Sequence, residues 1–134
     1  MYCLIQQRVE FTMKPVTKKI LIADDDPGIV DSVSMILEMM GYDVAFTYSS
    51  NAVSAEVKKS STDLILLDIW MSGRDGRDIC RELKSNNSTK NIPVLMISAS
   101  RDIKQSALDS GADDFLEKPF EIDTIIDKVE RLIG

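Results

Sequence analysis

Along the chain of 134 residues, the spacing of apolar positions alternates between two rhythms. Short unbroken apolar runs at Ile20–Ala23, Leu64–Leu67 and Val94–Ile97 read as strands buried on both faces, as in a parallel sheet covered by helices. Tyr42–Thr47, centred on Val44 to Phe46, and Ala112–Glu117 read as two more strands. Between these runs apolar residues recur at helical spacing. The predicted inward sets are Ile29, Val33, Ile36, Leu37 and Met40; Ala52, Val53, Ala55 and Val57; Ile79, Cys80 and Leu83; Ile103, Ala107 and Leu108; and Ile122, Ile125, Ile126, Val129, Leu132 and Ile133. Pro27 behind Asp24–Asp26 marks a helix start, Gly41 and Gly111 mark helix ends, and Lys84–Asn91 reads as a loop. The fourth helix, about Arg101–Ser110, has the fewest apolar positions and is the least anchored.

Five strand-then-helix units predict an α/β fold, a doubly wound five-stranded parallel sheet with right-handed crossovers and helices on both faces. Asp24, Asp25, Asp68, Ser98 and Lys118 then all fall at the C-terminal ends of their strands. In open parallel sheets ligands sit along that edge, near the point where strand order reverses. Residues 1–17 show no clear period and read as a loose N-terminal extension to a domain over 18–134, with Met13 an alternative start residue.

Composition narrows the chemistry. With 44% hydrophobic and 28% charged residues the chain is that of a globular domain, and no apolar run approaches the roughly 18 residues of a membrane span. That shortness argues against membrane insertion, and a net charge of −6 repels polyanions, so direct nucleic-acid binding is not expected either. Cys3 and Cys80 fit no metal spacing, Cys80 reads as an inert packed thiol, and the whole suits a reducing cytoplasm. The chain has no histidine, which removes His-based triads, His metal sites and imidazole bases. Chemistry must therefore run on carboxylates, hydroxyls, lysine and backbone.

Taken singly, Asp24 and Asp25 are explained by helix capping, Asp68 by a turn, Ser98 by a cap and Lys118 by an ordinary surface position. Together on one edge they suggest more. Clustered carboxylates repel one another unless a cation intervenes, and Mg²⁺ is the hard ion usually held by one or two carboxylates, waters and a phosphate. An aspartate in such a site can attack phosphorus to form an acyl phosphate. The metal, Lys118 and the Ser98 hydroxyl with nearby N–H groups would neutralise the transferred group.

Four motifs, I-L-I-A-D-D-D-P at Ile20–Pro27, L-I-L-L-D-I-W-M-S-G-R-D-G at Leu64–Gly76, P-V-L-M-I-S-A at Pro93–Ala99 and G-A-D-D-F-L-E-K-P-F at Gly111–Phe120, give the chain a strong family likeness. It resembles the receiver domain of two-component response regulators, of flavodoxin/CheY-like fold, over about Lys18 to Ile133. The resemblance implies strand order 2-1-3-4-5, Asp68 as phosphoacceptor, and Mg²⁺ held by Asp25, Asp68 and the backbone carbonyl of Trp70, with Asp24 acting through water. It further implies Ser98 as switch hydroxyl, Lys118 as phosphate contact, Phe115 at the aromatic switch position and a cis peptide before Pro119. Two departures stand out. Ser72 replaces the family's usual proline, which should loosen the loop, and Trp70 is either a shield for the phosphoryl group or an exposed aromatic.

The implied function is a stand-alone regulator. A histidine kinase or histidine phosphotransfer protein would phosphorylate Asp68, and the face made by the fourth helix, fifth strand and fifth helix would signal to a downstream protein target. The domain would assist its own phosphorylation and slow dephosphorylation without being a turnover enzyme. Rival readings are a Mg²⁺-dependent phosphatase using an aspartyl phosphate and a receiver-fold scaffold that is never phosphorylated. A nucleotide-binding module is the weakest rival, since neither glycine-rich phosphate motif occurs.

Overall fold

A computed structural model describes residues 17–134, so Cys3, Met13 and the extension up to residue 16 lie outside the described residues. Strands and helices alternate throughout: β1 (Lys19–Ala23), α1 (Pro27–Met39), β2 (Asp43–Thr47), α2 (Val53–Lys59), β3 (Leu64–Asp68), α3 (Gly76–Ser85), β4 (Val94–Ser98), α4 (Lys104–Asp109), β5 (Asp114–Glu117) and α5 (Ile122–Ile133). Short 3₁₀ turns, Ser50–Ala52 and Arg101–Ile103, lead into α2 and α4. All strand pairs are parallel and the order is β2-β1-β3-β4-β5, as the family resemblance implies.

The period-two alternation of the strands divides the core. Leu21, Ile65, Leu67 and Met96 point to the layer of α2, α3 and α4, where Val57, Ile79 and Leu83 meet them. Ile22, Leu64, Leu66 and Ile97 point to the layer of α1 and α5, against Val33, Leu37, Ile125 and Val129. Both faces of β1, β3 and β4 are covered, which is why their sequences are continuously apolar.

Three helical faces differ from the predicted ones. On α1 the buried line is Val30, Val33 and Leu37, while Ile29, Ile36 and Met40 are half-buried margins. Ala55 of α2 is exposed, because Val53 and Val57 alone, four apart, cover that corner of the sheet. Ile122, at the first turn of α5, projects past the sheet and is exposed. Phe46 is exposed too, as β2 is an edge strand.

Candidate functional site

The strand order reverses between β1 and β3, and the site lies at their C-terminal ends. Ala23 pairs with Leu67, so the residues that follow, Asp24 and Asp68, emerge side by side. Of the three successive acids, only Asp26 caps α1: its Oδ1 accepts the N–H groups of Gly28 (2.9 Å) and Ile29 (3.4 Å). Asp24 instead tightens the turn, its Oδ1 accepting the Asp26 N–H at 3.0 Å, and is fully buried. The exposed Asp25 accepts the Ser72 N–H at 3.1 Å. One carboxylate oxygen from each of Asp24, Asp25 and Asp68 lies within 4.8 Å of the others.

Lys118 follows β5, whose edge is held by its N–H bond to the Ser98 carbonyl (2.9 Å) and whose next peptide, Lys118–Pro119, is cis. Its ammonium reaches back over the sheet, 3.2 Å from Asp68 Oδ2 and 2.9 Å from Asp24 Oδ2. The Asp68 contact is a hydrogen bond; the Asp24 contact is an ion pair off the hydrogen-bonding line, leaving that buried oxygen without a donor. Asp68 Oδ1 accepts the Trp70 N–H at 3.2 Å. Burial, and then the neighbouring Asp24 charge, raise the Asp68 pKa above the usual aspartate value against the lowering pull of Lys118 and the Trp70 N–H. Burial alone would depress Lys118, but Asp24 and Asp68 outweigh it and hold its pKa above normal. Lys118 remains a cation and Asp68 is a carboxylate that ionises reluctantly.

A hard cation suits this donor set: among the described residues three carboxylates converge beside a single ammonium, that of Lys118, so more negative charge gathers here than the lysine neutralises. Ser98 is fully buried at the end of β4, where its Oγ accepts the Ser100 N–H at 3.1 Å. Among the described residues its own O–H has no acceptor, so it can donate to an incoming oxygen. Phe115 is buried in β5, its ring turned inward.

The loop after Asp68 is tied by contacts invisible in the sequence. Gly76 brings the start of α3 against the backbone beside Asp68: a Cβ there would lie 2.8 Å from Ile69 Cα and 2.9 Å from the Asp68 carbonyl oxygen. Buried Ser50 donates through its N–H (3.1 Å) and its hydroxyl (3.0 Å) to the Ser72 carbonyl. With its own N–H on Asp25, Ser72 is anchored at both ends, through a donor that proline lacks, contrary to the loosening its sequence suggests. Trp70 is 54% exposed, with the Arg77 guanidinium 4.9 Å above its ring. Arg77 also pairs with Asp75, the α3 cap, at 2.6 Å and donates to Ser106 of α4 at 3.0 Å. Sequence reasoning missed Ser50, Arg77 and the apolar cleft of about 450 Å³ beside Lys118, lined by Ile29, Ala99, Pro119 and Phe120.

The model of the response regulator receiver domain matches residues 20–130. The DNA-binding dual master transcriptional regulator RpaA of Synechocystis sp. is 42% identical over 117 residues, 86% of this chain and 48% of that protein. The DNA-binding response regulator MtrA of Mycolicibacterium smegmatis is 31% identical over 87% of this chain and 51% of its own length. The chain thus spans about half the length of the curated relatives it matches. Among solved structures, a response regulator from Chloroflexus aurantiacus superposes with TM-score 0.83 at 27% identity, covering 87% of this chain and 98% of that one. The chemotaxis protein CheY4 of Vibrio cholerae gives TM-score 0.81 at 28% identity, over 88% and 100%. Among the described residues no helix is long and apolar enough to cross a membrane. The chain belongs to the response regulator receiver domain family.

Proposed function

We propose that Asp68 accepts a phosphoryl group from a phosphohistidine on a histidine kinase or histidine phosphotransfer protein, and that the phosphorylated domain signals through the face formed by α4, β5 and α5. The observation that carries this reading is the Lys118 ammonium between Asp24 and Asp68, with Asp25 completing a carboxylate cluster inside 4.8 Å. These 134 residues hold no histidine, so the donor phosphohistidine lies outside them.

A carboxylate oxygen of Asp68 attacks phosphorus in line with the bond to the donor imidazole. The P–N bond breaks, its electron pair stays on the imidazole nitrogen, and an acyl phosphate remains on Asp68. Mg²⁺, held by Asp25, Asp68 and the Trp70 carbonyl with Asp24 acting through water, would neutralise phosphoryl charge during the transfer. Lys118 sits 3.2 Å from Asp68 and exchanges part of that ion pair for a phosphoryl oxygen. The Ser98 hydroxyl supplies a further donor, and its movement draws the loop after β4 toward Asp68. The apolar cleft around Ile29, Pro119 and Phe120 gives the donor protein a surface beside Lys118.

The change has a short route outward. The six-residue helix α4 buries only Ala107, and its ties to the rest include the Arg77–Ser106 bond and, through its leading turn, the exposed Arg101–Glu117 pair at 3.2 Å. An element so thinly held shifts at low cost when Ser98 and Phe115 rearrange. The domain over residues 18–134 acts as a phosphoacceptor that assists its own phosphorylation and slow dephosphorylation. Incubation with acetyl phosphate tests this: the protein should gain the mass of one phosphoryl group with Mg²⁺, little without it, and none in Asp68→Asn. Equal labelling of the variant, or none of the parent, would overturn the assignment.

A further inference from the structure

Four of the six large apolar side chains most exposed among the described residues lie on one face, far along the sheet from α4: Met35, Met39, Phe46 and Tyr48, exposed by 59, 82, 51 and 42%. Met35 and Met39 are one helical turn apart on α1, and Phe46 stands beside them on the edge strand β2, its ring 5.2 Å from that of Tyr48. Between helix and strand runs an open groove of about 590 Å³, lined by Val30, Met35, Met39, Val44 and Phe46, with Asp31 and Glu38 at its margin. Ser34 also lines it, and its buried hydroxyl has no hydrogen-bond partner. Scattered exposed apolar residues are ordinary, whereas a contiguous patch of this kind marks an interaction surface. Methionine suits such a role, being flexible and polarisable.

Charge identifies the occupant. Every charged residue between Lys19 and Lys58 is acidic, a stretch that contains all of α1 and β2. A second copy of the same face would set Asp31, Glu38 and Asp43 against their own counterparts, which disfavours self-association there. A helix with apolar residues on one face and lysines or arginines along its flanks satisfies both features at once. We propose that the α1–β2 groove docks a basic amphipathic helix of a partner protein, its apolar side chains between Met35, Met39 and Phe46 and its basic side chains toward Asp31 and Glu38. This surface is separate from the α4-β5-α5 face and does not depend on phosphorylation of Asp68.

The test uses the full chain labelled with ¹³C at the methionine methyl groups, assigned by single Met→Leu variants. Two synthetic helices serve as probes, both with Leu at i, i+3, i+4 and i+7 spacing, one filled out with Lys and the other with Glu. The Lys peptide should move the Met35 and Met39 signals and the Glu peptide should not. Met39→Lys should weaken Lys-peptide binding at least tenfold while labelling of Asp68 by acetyl phosphate stays unchanged. A Lys-peptide response confined to the fluorescence of Trp70, the chain's single tryptophan, with the Met35 and Met39 signals unmoved, would mean attraction to the acidic site only, and would overturn the proposal. Methionine shifts that follow protein concentration alone would assign the groove to a second copy. Binding that appears only after residues 1–12 are removed would assign it to the chain's own N-terminal residues, and undiminished binding to Met39→Lys would place the contact elsewhere; each of these results also overturns it.

Discussion

Replacing Asp68 by asparagine should make the metal-free protein more stable, although it removes the proposed phosphoacceptor. Lys118, 3.2 Å away, attracts the carboxylate by ~5 kcal/mol at an effective dielectric of about 20. Asp24, within 4.8 Å, repels it by ~3 kcal/mol on the same scale, and exposed Asp25 adds up to ~1 kcal/mol after screening. The Coulomb terms nearly offset each other. What decides is the burial of a charge, which costs several kcal/mol in real proteins, against a Trp70 N–H bond contributing about 1.5–3 kcal/mol. The raised Asp68 pKa carries the same sign: ionised Asp68 is less favourable in the folded chain than in the unfolded one. Asn keeps one acceptor and discards the charge, so a gain of about 1 kcal/mol is expected, or a Tm higher by ~2–8 °C in metal-free buffer at pH 7. The penalty is nil below the ordinary aspartate pKa and full above the raised one, so the advantage of Asn should fade as the buffer is acidified. Added Mg²⁺ should raise the Tm of the parent more than that of the variant, because binding to the folded state stabilises it by mass action. A variant less stable than the parent without metal, or equal responses to Mg²⁺, would refute the reasoning.

Other consequences follow from the same geometry. Gly76→Ala places a methyl group 2.8 Å from Ile69 Cα and 2.9 Å from the Asp68 carbonyl, both backbone, so α3 must retreat. About 1–3 kcal/mol of stability should be lost in denaturant titration, with slower labelling of Asp68 by acetyl phosphate. Asp75→Asn removes the charge that caps α3 and clamps Arg77, whose hydrogen bond holds the Asp75 pKa below its usual value. That stabilisation is present above the unfolded aspartate pKa and lost as pH falls through the folded one, so parent and variant should differ steadily near neutrality and converge only below about pH 4. Cys80 is fully buried, and burial raises its pKa, so peptide mapping should find it unmodified by iodoacetamide in the native protein and modified in denaturant.

The five strands and the edge residues were legible because each signal is local. Leu64–Leu67 is continuously apolar since β3 is covered on both faces, and an acid ending such a run falls at the edge of the sheet, where the strand leaves it. Bringing Asp24, Asp68 and Lys118 together then follows from parallel pairing alone. Helical faces were harder. Ile122 and Ala55 fit the period of their helices, but whether a position is covered depends on where the sheet stops. The same limit hid the α1–β2 groove, since nothing in the spacing of Met35 and Met39 tells a core face from an uncovered one. Ser72 and Arg77 act through reach: one donates a backbone N–H to a residue 47 positions away, and the other spans from α3 to α4. Neither contact leaves a pattern in the chain.

A crystal structure with Mg²⁺ and beryllofluoride, a mimic of the phosphoryl group, tests the central claim most directly. The account predicts one cation about 2.0–2.1 Å from oxygens of both Asp25 and Asp68, beryllofluoride joined to Asp68, and Lys118 and Ser98 on its fluorines. A cation that leaves Asp25 and Asp68 uncoordinated, or beryllofluoride absent from Asp68, would contradict it.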